Sequence, residues 1–157
     1  MAVKLGFVLS LFLLTFFGFL PHDAKNQTLP KNSKDPCDSA MTQLELNNCS
    51  GDQYRKADAH LNALYGKLMH LLEEDIKRAQ NEKDEDQRKN SETAICKLKA
   101  TEKAWIVYRD LQCDAARFEY EGGSINPSVW AICMKTVTEH RISDLKDAYE
   151  TPDRKIE

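Results

Sequence analysis

Glycine and proline are scarce in this chain, six and five of 157 residues, and that shortage excludes a fold built from many tight turns, such as a sandwich or a small barrel. Net charge is nearly missing too. The 22 basic and 25 acidic side chains leave −3, so no basic field exists to hold a phosphate backbone, and nucleic acid is not an expected partner. Metal motifs are lacking: His60, His70 and His140 stand in no H-x-x-x-H context, and no cysteines are spaced Cys-x-x-Cys. The polar run Gln80 to Asp86 has neither the glycine nor the alternating acids of a calcium loop. No metal or other cofactor is expected. No nucleophile has a base near it in the sequence and no carboxylates form a recognised catalytic arrangement, so the chain reads as a binding protein and not an enzyme.

What is present favours helices. Hydrophobic residues make up 41% and charged residues 30%, enough for one core under a soluble surface, and the long runs rich in Leu, Ala, Glu and Lys have high helix propensity. The fold class expected is all-α. The first segment is different: Lys4 precedes the uncharged run from Leu5 to Leu20, which breaks at Pro21. That layout is a secretory signal over residues 1–24, and the run, roughly 16 residues, is short of the ~20 that span a bilayer. An uncleaved anchor is the alternative. Residues 25–36 carry Pro30 and Pro36 without periodicity and read as a disordered leader. The helical domain is expected over residues 37–150, with a tail at 151–157. After cleavage no membrane association is expected, and the destination is the periplasm or the medium.

Five cysteines in an exported chain read as a disulfide framework with one thiol over. Cys37 and Cys49 bracket a short segment, and Cys113 and Cys133 bracket the one strong late turn, which favours those two local pairs. The pairing of Cys37 with Cys133 and Cys49 with Cys113 stays open. Each bridge would stabilise by about 3 kcal/mol in the chain-entropy model. Cys96 is the spare, and no histidine is placed by a motif to activate it.

Along the domain, Asp38 is a candidate cap for a short helix to Asn48, which the Cys49-Ser50-Gly51-Asp52 turn would end. From Asp52 a long helix carries Ala57, Leu61, Leu64, Leu68 and Leu71 at gaps of four and three. Asp58, Asn62, Tyr65 and Met69 run beside that seam, with Arg109 the expected partner of Asp58. Residues 80–86 are expected to fray into a loop. Asn90 or Ser91 would cap a central helix whose buried face is read as Leu98, Trp105, Tyr108, Gln112 and Ala115, widened by Ile106, Cys113 and Ala116. It would end near Tyr120 before Gly122 and Gly123, and Asn126 with Pro127 would start the last helix. That helix carries Trp130, Cys133, Val137, Arg141, Leu145 and Ala148 on one face and fades at Pro152. The architecture expected is a small disulfide-stapled bundle of three long helices plus a short N-terminal one.

Taken together, Cys37, Thr42-Gln43, Asn48-Cys49, Ala57-Asp58, Leu61-Asn62, Tyr65, Ala104-Trp105, Tyr108-Arg109-Asp110, Cys113, Gly122-Gly123-Ser124, Cys133 and Arg141 resemble the LprI-type lysozyme-inhibitor domain of exported bacterial proteins. The resemblance covers about Cys37 to Ala148. It implies a helical envelope domain that binds and inhibits lysozyme, the muramidase that cuts peptidoglycan. The chain departs from lipid-anchored members in having no lipidation cysteine, and Cys96 is an addition. Animal lysozymes are generally basic, and an acidic stapled domain would be steered towards one.

Most of the matching residues read as scaffold: Asp58, Asn62, Tyr65, Trp105, Tyr108, Arg109 and Arg141 as docking residues between helices. The contact surface is expected on the turn Glu121, Gly122, Gly123, Ser124, Ile125 and Asn126, where a rigid loop enters a cleft at little ordering cost. The competing expectation is an envelope adaptor or immunity-like module with a different protein partner, since nothing in the motif set is specific to a muramidase cleft.

Overall fold

Thr42 sets the start of the first helix. Its Oγ1 accepts the Glu45 N–H at 3.2 Å, and Glu45 Oε2 accepts the N–H groups of Met41 and Thr42 at 2.8 and 3.1 Å, a reciprocal capping box. From there α1 runs unbroken over Gln43–Glu82, 40 residues. The computed structural model describes residues 36–151 with Lys155 and Ile156, so the signal segment 1–24 and the leader, apart from Pro36, lie outside the described residues. The expected short N-terminal helix does not exist as a separate element. Residues 36–39 form a turn, and Cys49 to Asp52 lie inside α1. A helical glycine costs about 1 kcal/mol, but Ser50 is buried with its hydroxyl donating to the Leu46 carbonyl at 2.6 Å, and Asp52 pairs with Arg55 one turn on. Turn-forming residues have thus been absorbed by a helix that has packing partners.

The polar segment 80–86 is also corrected. Only Lys83 and Asp84 separate α1 from α2, which spans Glu85–Arg117. Lys83 takes the left-handed conformation, φ 59°, and closes α1, while Asp84 Oδ1 accepts the Gln87 N–H at 2.9 Å and caps α2. Arg88 bridges Glu85 and Glu92 at 2.6 and 2.5 Å, so local charge pairs hold helical a stretch without apolar residues. Neither Asn90 nor Ser91 is the cap; Ser91 is a buried interior position. A 3-10 turn, Phe118–Tyr120, follows α2, and α3 spans Asn126–Tyr149.

The two-residue connection makes α1 and α2 antiparallel neighbours, and α3 packs against both. The core holds Leu61, Leu64, Leu68 and Leu72 of α1, Leu98 of α2, Ile142 and Leu145 of α3, and Ile156. The α1 seam continues from Leu68 to Leu72, with Leu71 on its edge. Ile156, read as tail, is only 1% exposed. On α3 the buried line is Ala131, Met134, Thr138, Ile142 and Leu145; Trp130, Cys133, Val137 and Arg141 form its half-buried flank, and Ala148 is exposed.

The largest correction concerns α2. Its buried line is Ser91, Leu98, Glu102, Arg109 and Cys113, so Tyr108 is no seam residue and is 57% exposed. Ile106, Gln112, Ala115 and Ala116 are exposed as well. An apolar-periodicity reading skips Glu102 and Arg109 because charged residues are rarely buried. Here each is buried because another helix supplies its counter-charge.

The cysteines pair as Cys37 with Cys49 and Cys113 with Cys133, with Cα separations of 5.7 and 5.5 Å. Cys96 is free and exposed. One bridge ties the entry turn to α1, and the other ties the end of α2 to the start of α3.

Candidate binding surface

Below the Gly122 turn runs a spine of alternating cations and rings that fixes how the three helices dock. Arg109 Nη1 donates to Asp58 Oδ1 at 3.0 Å across α1 and α2, and its Nε donates to the neighbouring Asp110 at 3.0 Å. Asp58 Oδ2 accepts from Asn62 Nδ2 at 3.1 Å, which keeps the carboxylate turned towards Arg109. The guanidinium lies 5.1 Å from the Trp105 ring and 5.8 Å from the Tyr54 ring. Arg141 of α3 approaches Trp105 at 5.9 Å and donates through Nε and Nη2 to Glu102 Oε2 at 3.0 and 2.9 Å. Tyr54 meets Trp130 edge-on at 5.4 Å, and Arg117 lies 5.9 Å from Trp130. Cation–ring contacts at these distances are favourable, and the planar guanidinium of arginine can stack on a ring while its N–H groups bond carboxylates.

Burial alone pulls the Arg109 guanidinium down, but its bonds to Asp110 and Asp58 and the fields of Tyr54 and Asp110 outweigh that and hold it above its ordinary value. Burial raises Tyr54, with Arg109 opposing. Burial raises Tyr65 as well, and the Glu102 carboxylate adds to the shift. Tyr65 packs against the core cluster from the edge. The structure therefore brings Asp58, Asn62, Tyr65, Trp105, Arg109 and Arg141 into the helix-docking layer and leaves Tyr108 outside it. Tyr54 and Glu102 complete the layer. Glu102 stands three residues before Trp105 and Arg109 four after, a spacing that places all three on one helix face.

The turn between α2 and α3 stands at the end of this layer, above the Cys113–Cys133 bridge. Gly122 has φ 77°, a conformation that strains any side chain, and a Cβ on Gly123 would approach the Tyr120 carbonyl to 3.2 Å. The turn is braced from two helices. Asn47 of α1 donates to the Ser124 carbonyl at 3.0 Å, and Asn126 Nδ2 donates to the Arg117 carbonyl at 3.0 Å. Ile125, and not Asn126, stands at the cap of α3, without a side-chain bond, and the amide of Asn126 ties the helix start to α2. Gln43 reaches Ser128 Oγ at 3.3 Å, and that hydroxyl donates to the Ile125 carbonyl at 2.9 Å.

Glu121, Gly122, Gly123, Ser124 and Ile125 face solvent, and Asn126 is half-buried. An open concavity of about 520 Å³ lies beside the turn, lined by Asp114, Arg117, Phe118, Glu121, Gly122 and Asn126 among others. Phe118 is 70% exposed there. Arg117 Nη2 pairs with Asp114 Oδ1 at 2.9 Å. Sequence reasoning missed the α2 wall of this concavity, Asp114 to Phe118, and the Asn47 brace; the only signal was an aromatic residue just before the glycines. Among the described residues, no three His, Cys, Asp or Glu side chains converge as metal ligands, and no helix is long and apolar enough to cross a membrane.

Comparison with known proteins adds one family and one relative. The sequence model of the family described as "Lysozyme inhibitor LprI" matches residues 34–145. An uncharacterized protein of Rhizobium meliloti (strain 1021) is 35% identical over 127 residues, 79% of this chain and 88% of that protein. No solved structure matches the chain.

Proposed function

The chain belongs to the LprI lysozyme-inhibitor family, and from that premise we propose that it inhibits a lysozyme by direct protein contact made through the Glu121–Asn126 end of the bundle. The observation that carries the site is the bracing of this turn. Asn47 and Asn126 hold it from α1 and α2, so it enters a cleft with little conformational entropy left to lose. Asp114, Glu119 and Glu121 surround it with exposed acids, the charge that steers a basic lysozyme to this end. Phe118 and Ile125 supply apolar area beside them. The two disulfides form in an oxidising compartment, which supports action outside the cytoplasm, reached through a signal segment at 1–24. The protein acts by occupying its target and performs no chemistry of its own.

The test is a cell-wall turbidity assay with a hen-type lysozyme and the oxidised protein, with a reduced and alkylated sample as control. Slower clearing with the oxidised form only is expected. Unchanged clearing at micromolar protein would overturn the reading and favour an adaptor or immunity-like module with another protein partner.

A further inference from the structure

The outward face of α2 carries a second pattern, which shares only Asp114 and Phe118 with the wall of the binding turn. Directly opposite the buried line of Leu98, Glu102, Arg109 and Cys113 lie Cys96, Ala100, Val107 and Leu111, continued by Phe118 at the start of the 3-10 turn, one stripe over six turns. Val107 is 54%, Leu111 65% and Phe118 70% exposed. On one flank of this stripe stand Lys99 and Lys103, followed along the helix by Asp110 and Asp114. The lysines make no ion pair with any described residue, and the two acids, tied locally to Arg109 and Arg117, remain about half exposed.

We infer that this face docks a second copy of the chain, α2 against α2, antiparallel. In an antiparallel pair related by a two-fold axis, the same flank of each helix meets its own equivalent, so basic and acidic halves of one flank become complementary. Lys103 opposite Asp110 and Lys99 opposite Asp114 share one centre, midway between Ile106 and Val107. That single register also settles the apolar layers. Val107 meets the Ile106–Val107 step of the second copy, Leu111 falls between its Ala100 and Ala104, and Phe118 covers the turn at Cys96. Large side chains are thus set over small ones, as close helix packing requires. A parallel pair would instead set this flank against the opposite flank of the second copy, where Lys97, Ala104, Tyr108 and Ala115 offer the lysines no acid. The register holds the two Cys96 thiols about 32 Å apart along the helix axis, at 1.5 Å per residue, and carries the two Gly122 turns to opposite ends of the assembly.

This inference does not rest on the lysozyme reading, and its experiment is separate. The protein is expressed from Met1, purified in the form the cells make, and followed by sedimentation velocity across the micromolar range. A reversible dimer is expected. Leu111→Glu, at an exposed position, should raise the dimer dissociation constant at least about 30-fold with unchanged helicity. Lys99→Asp should weaken the dimer about tenfold, and adding Asp114→Lys should restore it. A monomer across the whole range, a dimer indifferent to Leu111→Glu, or a dimer held by a bond between two Cys96 residues would each overturn the proposal. Loss of lysozyme binding in Leu111→Glu with a monomeric parent would also overturn it, and would give the face to a different protein.

Discussion

Glu102 Oε2 accepts two bonds from Arg141, from Nε at 3.0 Å and Nη2 at 2.9 Å, and joins α2 to α3 with both side chains nearly out of solvent. A buried pair of this kind stabilises little relative to an apolar pair of the same volume, yet losing one member strands the other charge. Glu102→Ala should therefore cost about 3 kcal/mol, and Arg141→Met a comparable amount. The double variant Glu102→Leu with Arg141→Met should recover most of that loss. Urea unfolding of the three variants checks it; a double variant as unstable as the sum of the singles would show that the pair contributes more than mutual neutralisation.

Arg109 and Asp58 tie α2 to α1 in the same layer, but Asp58 is 37% exposed in its side chain. Water can partly replace a lost partner there, so the coupling should be smaller. A double-mutant cycle of Asp58→Asn and Arg109→Met should give an interaction of about 1 kcal/mol. Strict additivity would show that Arg109 is held mainly by the Trp105 and Tyr54 rings and by Asp110.

The helix-docking layer was only half legible in the chain. Asp58, Asn62 and Arg109 stood out because polar residues bordered an apolar stripe, and the structure joins them. Glu102 and Tyr108 exchanged places. Apolar periodicity favours a tyrosine over a glutamate as a core position, and nothing local says that Arg141, 39 residues away, will neutralise that glutamate. The helix boundaries at Gly51 and at Gln80 to Asp86 failed for a related reason: turn propensity is worth about 1 kcal/mol, less than the packing and charge pairing that a continuous helix gains. Cysteine spacing, by contrast, reflects a covalent constraint over short loops, and the two local pairs followed from it.

Stability should depend on pH at both extremes. Backbone bonds from Met41 and Thr42 hold the Glu45 carboxyl below its ordinary value of 4.5. Its folded pKa is depressed, so the contribution is present above that value and is lost as pH falls through the folded pKa. An NMR titration should show the Met41 and Thr42 amides losing their bonds with Glu45, and Glu45→Gln should abolish that step. Burial raises Tyr54 above its ordinary value of 10.0. The folded chain then keeps a proton that the unfolded chain releases, so stability falls as pH rises above about 10. In Tyr54→Phe that alkaline fall should be shallower by denaturant titration.

Thr138 lies fully buried on α3, and its hydroxyl has no hydrogen-bond partner among the described residues. An unpaired buried hydroxyl carries its desolvation cost without return. Thr138→Val keeps the shape and removes the polar atom, so it should stabilise by about 1 kcal/mol. Thermal unfolding would show a raised midpoint; a fall would mean that the hydroxyl finds a partner in solution.

The bracing of the Gly122 turn separates two effects that one substitution would confuse. Ser124 is exposed and lends only its carbonyl to Asn47, so Ser124→Trp adds bulk at the proposed contact without touching the brace. Asn126 is itself a brace through Arg117, and changing it alters the shape of the turn as well as its surface. Ser124→Trp should leave the unfolding midpoint unchanged and weaken lysozyme inhibition at least tenfold, about 1.4 kcal/mol. Asn47→Ala removes two hydrogen bonds, the one it donates to the Ser124 carbonyl and the one its Oδ1 accepts from Gln43, about 1 kcal/mol each, and leaves the contact surface intact. It should weaken inhibition by only a few-fold, through the cost of ordering a looser turn, and should speed amide exchange at Gly123 and Asn126. Equal inhibition by all three proteins would move the contact away from this turn, whereas a strong loss in Asn47→Ala alone would place it on the N-terminal part of α1 around Asn47.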